Sequence, residues 1–261
     1  MQPIIEIQIT RFLLAYVLLV IVGIVLKVSK IDQTKELVYS SVRMSIQLIL
    51  AGLILTYIFK NPHPLFTVAY VLAMVFFSIM RVFKKCPTLN KRFKVYVALS
   101  ISLSGLFVLC YFIMVIVGQS IFNPQYTIAI SGMLIGNSMT GVILGINTFL
   151  NAAADNKAKL QTLVNIGVAP MRILKPLVSD ALRTAFLPLI NSMVGMGIVS
   201  LPGMMTGQIL SGTLPNTAIL YQIAIMISIA SSVVLTTFLA LNFGYKTLID
   251  KDQNIVAASR R

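Results

Sequence analysis

Apolar residues run along this chain in blocks about as long as a membrane helix, and polar residues fall in the gaps between blocks. A helical span of the bilayer core needs about 20 predominantly apolar residues. The pattern predicts seven such spans: Ile9–Leu26, Val42–Phe59, Leu65–Phe83, Val95–Val117, Thr127–Leu150, Thr184–Leu201 and Thr217–Phe243. The expected fold class is therefore all-α and polytopic, a single transmembrane domain over 1–261.

Two spans break the apolar rule. The fifth carries Asn137, Ser138 and Thr140, with Gly132/Gly136 and Gly141/Gly145 each four apart and so on one helix face. Small residues at that spacing let two helix backbones approach closely. The polar residues either hydrogen-bond a neighbouring helix or line a path. From Leu187 to Gly212 an apolar run takes Asn191 and Ser192, then meets Pro202, Gly203, Met204, Met205 and Gln208. Polar groups and helix breakers persist in a span only where protein or water satisfies them. The stretch is either a broken or re-entrant helix beside a path, with 202–212 dipping back into the membrane, or a packing face with a loop behind it. Depth along the fifth and sixth spans sets Asn137, Ser138 and Met139 opposite Asn191, Ser192 and Met193, with Met204, Met205 and Gln208 nearer the outer mouth.

Composition agrees with the pattern. The 261 residues are 57% hydrophobic and 11% charged, with a mean hydropathy of +0.91, where a soluble domain carries about a quarter of its residues charged. The net charge of +14 does not mark a nucleic-acid binder, because the basic residues sit in the gaps between spans. All of the 21 basic residues except Arg11 and Lys60 fall in alternate connections. The positive-inside rule then sets the N-terminus outside and the C-terminus in the cytoplasm. A multi-pass protein of the cell membrane, in contact with lipid, is expected. The N-terminus lacks a signal peptide's basic n-region, and Cys86 and Cys110 are too differently placed to suggest a disulfide.

The longest cytoplasmic connection, Asn151–Asp180, predicts a helix, a turn at Gly167 to Pro170, and a second helix leading into the sixth span. It can present a short helix to a partner or be a plain helical hairpin. Known chemical signatures are missing: no GxxxxGK[ST] phosphate loop, HExxH, GxSxG or CxxC occurs. The acids Glu6, Asp32, Glu36, Asp155, Asp180, Asp250 and Asp252 lie at or beyond span ends, so no buried proton relay is apparent. His63 is the only histidine, and one imidazole holds a metal poorly. No metal ligands are assigned. The methionines of the two path segments are soft ligands suited to Cu(I) rather than iron, but methionine is also the usual flexible filler of apolar packing, and packing is the favoured reading.

Four stretches together resemble one family. Gly197 to Gly212 (GIVSLPGMMTGQILSG), Arg43 to Leu48 (RMSIQL), Gly132 to Met139 (GMLIGNSM) and Asn165 to Pro170 (NIGVAP) are similar to motifs of the FetB/YbbM family. These are membrane subunits of ABC transporters associated with iron export, and a plant aluminium-tolerance transporter subunit is related. Gln161-Thr162 stands where the family usually has an acid, and Leu214-Pro215 where many members have Asp-Pro. The resemblance implies a permease that is not itself an enzyme, works as a homodimer, binds no cofactor of its own, and moves a metal ion on ATP hydrolysed by a separate ABC ATPase. It further implies that 151–180 is the coupling hairpin, with Gln161, Gly167, Pro170 and Arg172 as the ATPase contacts. The alternatives are another cargo, such as a nucleotide-sugar, in the same type of complex, or a stand-alone secondary carrier.

Overall fold

A computed structural model describes residues 8–249. Glu6, Asp250, Asp252, Lys251, Arg260 and Arg261 lie outside the described residues. The described chain is helical almost throughout: α1 Ile9–Val28, α2 Thr34–Lys60, α3 Pro64–Lys85, α4 Lys91–Tyr111, α5 Pro124–Asp155, α6 Lys157–Asn165, α7 Pro170–Gly195, α8 Gly203–Leu210 and α9 Pro215–Gly244. A π-helical turn, Phe112–Val117, extends α4, and a 3-10 turn, Tyr245–Leu248, extends α9. Local chemistry sets the starts: Pro64, Pro124, Pro170 and Pro215 open their helices, where the missing N–H costs nothing. Asn90 and Asn123 cap α4 and α5 by accepting from backbone N–H groups.

Among the described residues six helices are long and apolar enough to cross a membrane, namely α1 to α5 and α9. This differs from the seven even spans expected. The sixth expected span, Thr184–Leu201, and the hairpin helix before it are one continuous helix, α7, which stops at Gly195. Its first half carries Arg172, Lys175, Asp180 and Arg183, which keep it out of the apolar set. Neither Pro176 nor Pro188 ends it. The break comes after Gly195, where Gly197 takes a left-handed φ of +83° and a tight loop closes through Gly197 N–H to the Ser200 carbonyl at 2.9 Å.

Helix α9 is the centre of the bundle and packs on α4, α5, α7 and α8, while α3 packs on α5 and α4. Two stacked cores result. One, built around Val82, Phe93, Phe149, Leu174 and Leu241, lies at the end that gathers the α3–α4 turn, the α5–α6–α7 elbow and the end of α9, and with them most of the basic residues. The other, around Leu109, Phe112, Leu134 and Ile225, fills the opposite end, where Met204 of α8 packs. Close approach of α5 to α9 is made by glycine. A Cβ on Gly141 would stand 2.7 Å from Val233 Cγ1, and one on Gly145 2.9 Å from Thr237 Cγ2. Helices α1 and α2 form an outlying hairpin joined by a Tyr16–Ser45 hydrogen bond of 2.6 Å. Glu36 and Lys85, 3.5 Å apart, tie α2 to the bundle.

Candidate functional site

Helices α5 and α7 diverge beside α9 and leave a cleft of about 120 Å³, lined among others by Asn137, Thr140, Gly141, Pro188 and Ser192. Proline and serine shape its α7 wall. Pro188 cannot donate to the carbonyl one turn earlier, and its own carbonyl accepts from Ser192 Oγ at 3.0 Å. On the α5 wall Asn137 Nδ2 donates to the Met133 carbonyl at 2.8 Å and Thr140 Oγ1 to that of Gly136 at 3.1 Å. The amide oxygen of Asn137 has no protein donor among the described residues, so the cleft offers at least one free acceptor at a position exposed to whatever fills it.

A second, larger cavity of about 640 Å³ lies between the end of α7, the 196–202 loop, α8 and α9. Met193, Met196, Met205 and Met226 border it, together with Gln222. Gln222 is 7% exposed, directs Nε2 to the Met196 sulfur at 3.8 Å, and has no donor for its buried Oε1. Gln208 on α8 also carries a buried amide oxygen without a partner. Among the described residues no cluster of three or more His, Cys, Asp or Glu could hold a metal ion.

The residues proposed for a path are therefore divided. Asn137 and Ser192 share the cleft. Met193 and Met205 border the larger cavity. Ser138 turns to α9 and bonds Ser232, Oγ to Oγ, at 2.8 Å. Met139 packs on the core at the basic end and Met204 on the other. Asn191 is exposed on α7 and borders neither cavity. Gln222 and Met226 were missed by sequence reasoning. An amide well inside the apolar run of α9 was the available signal, since lipid leaves such a group unsatisfied.

The coupling residues stand at the basic end. Gly167 N–H bonds the Val164 carbonyl at 2.9 Å and Val168 N–H that of Leu163 at 3.0 Å, a paired closure that fixes the end of α6 with Gly167 at a φ of +86°. Leu160 anchors α6 in the core and Pro170 is buried. Gln161 and Arg172 are exposed, and the side chain of Ile166 is 69% exposed at the apex of the turn.

These features define a multi-pass helical membrane protein with a cleft between its helices and a helical elbow at one end. The chain belongs to the family described as "Uncharacterised protein family (UPF0014)", whose model matches residues 9–249. It is 30% identical over 225 residues to the UPF0014 membrane protein YjkA of Bacillus subtilis, covering 85% of this chain and 87% of that one. It is 29% identical over 244 residues to the probable iron export permease protein FetB of Escherichia coli, covering 93% of each. Protein ALUMINUM SENSITIVE 3 of Arabidopsis thaliana is 31% identical over 216 residues, 81% of this chain and 77% of its own. No solved structure matches the chain significantly.

Proposed function

We propose that this chain is the membrane-spanning permease of an ABC-type exporter, energised by a separate ATPase subunit and working as a homodimer. The observation that carries the proposal is the continuity of α7. One helix runs from Pro170, at the exposed elbow, to Ser192 in the cleft, roughly 33 Å at 1.5 Å per residue. A push on the Ile166–Pro170 turn is thereby delivered to the cleft wall without an intervening hinge loop. Ile166 supplies an apolar knob, and Gln161, Gly167, Pro170 and Arg172 supply the rest of the docking surface.

In this reading the basic end faces the cytoplasm, as the positive-inside rule requires, and α7 with α8 forms a seventh, broken crossing. Homodimer formation covers the polar Asn137–Ser192 face, which lipid would leave unsatisfied. ATP is bound and hydrolysed in the partner, and this chain holds no cofactor of its own. The cargo is a metal ion, with the name of the FetB relative supporting iron. Export of another cargo, such as a nucleotide-sugar, by the same type of complex is the second reading, favoured by the lack of a carboxylate or imidazole among the described residues that line either cavity.

Cross-linking from Ile166→Cys to a cysteine-bearing ATPase, co-expressed in cells, tests the coupling. The expected result is an adduct that forms from the elbow and not from Tyr57→Cys on α2. Labelling of Ile166→Cys from outside intact cells would contradict the proposal.

A further inference from the structure

Four methionines from four separate segments converge on the larger cavity: Met193 at the end of α7, Met196 in the loop, Met205 on α8 and Met226 on α9. The four border a groove of about 640 Å³ that is partly open at the surface of the bundle. Beside them lies Gln222, more than nine-tenths buried, whose Nε2 points to the Met196 sulfur and whose Oε1 finds no donor. An orphaned buried acceptor costs about 1–3 kcal/mol, and a bound cation removes that cost.

We propose that this cavity binds a soft monovalent metal ion of the Cu(I)/Ag(I) class, with Met193, Met196, Met205 and Met226 as thioether ligands and Gln222 Oε1 as a weak additional one. The chemistry of the donors selects the class. Thioethers suit Cu(I), whereas Mg(II) and Ca(II) need oxygen ligands and iron(II) is served by imidazole and carboxylate. No carboxylate, imidazole or thiol borders the cavity. The cost of desolvating an ion rises with the square of its charge, so a wall of neutral donors accepts one charge far more readily than two. The room in the cavity lets the flexible thioethers swing inward around a small ion. The assignment rests on the metal-export reading above and replaces iron there with this softer class of cargo.

The test is calorimetric titration of the purified full-length chain with Ag(I) nitrate in chloride-free detergent buffer, and separately with Fe(II) under anaerobic conditions. A tight Ag(I) equivalent is expected that disappears when Met193, Met196, Met205 and Met226 are all replaced by Leu. Met205→Leu alone should weaken it by no less than the roughly 10–100-fold lost with an outer-shell partner. Met114→Leu, on the exposed π-helical turn, should leave it unchanged, and Cys86 and Cys110, present throughout, cancel in the comparison. If the fourfold variant fails to fold, Met205→Leu and Gln222→Leu decide the matter. An Ag(I) isotherm that these variants do not alter, or Fe(II) binding at the same site with no Ag(I) preference, overturns the assignment. No ATPase enters this assay, so the export reading stands or falls separately on transport.

Discussion

Ser138 of α5 and Ser232 of α9 meet hydroxyl to hydroxyl at 2.8 Å, both buried, near the middle of each helix. The pair fastens the cleft-bearing helix to the central one, and removing one hydroxyl strands the other. Ser138→Ala should cost about 0.6–2 kcal/mol, the range found for such bonds between membrane helices. The double variant with Ser232→Ala should recover most of it, because both partners are then apolar. Thermal unfolding in detergent measures this, and losses that simply add in the double variant would show that the bond contributes nothing.

The glycines of α5 are not equivalent. Gly141→Ala and Gly145→Ala drive a methyl into Val233 and Thr237 of α9, and overpacking of this kind costs about 1–3 kcal/mol. Gly136→Ala meets open space and should be neutral or slightly stabilising, since alanine favours helix. Melting temperatures of the three variants should separate accordingly.

Much of this was legible in the sequence. The edges of α1, α3 and α9 follow the apolar runs closely, because there the hydrophobic block and the helix coincide. Helix α2 begins at Thr34 rather than Val42, since backbone hydrogen bonding continues through polar residues that water or a headgroup satisfies. The helix at the start of α7 and its lead into the sixth span were legible, but charges in its first half set it apart as a hairpin arm rather than part of one helix that ends at Gly195. Side-chain direction was the larger gap. Asn137 and Ser138 are adjacent, yet a helix turns successive residues by about a quarter of a circle or more, so one reaches the cleft and the other α9. Depth alone could not make that distinction, nor could it separate Asn191 from Ser192.

That distinction predicts unequal outcomes. Asn137→Leu should abolish transport while leaving the amount of folded protein in the membrane unchanged, because the amide borders the cleft and its oxygen is free. Asn191→Leu should transport normally. Transport assays paired with quantification of folded protein check both, and loss of transport in Asn191→Leu with none in Asn137→Leu would move the path elsewhere.

Cys86, just beyond α3, is buried beside Asn147, with its sulfur 3.4 Å from the amide oxygen. Burial pushes its thiol from 9.0 up to about 11. The folded state therefore keeps a proton that the unfolded state loses. The contribution to stability is full below about pH 9 and is lost as pH rises towards about 11. Maleimide labelling in detergent at pH 7.5 should leave Cys86 unmodified in folded protein, and rapid labelling there would show that the packing of the basic end is wrong.

The central claim, an ATP-driven permease that needs a separate engine, is tested most directly in reconstituted vesicles loaded with metal. Metal movement should require this chain, its ATPase partner and ATP together, and should fall to background when the turn is altered by Ile166→Asp. Metal movement by this chain alone, driven by an ion gradient without ATP, would contradict it.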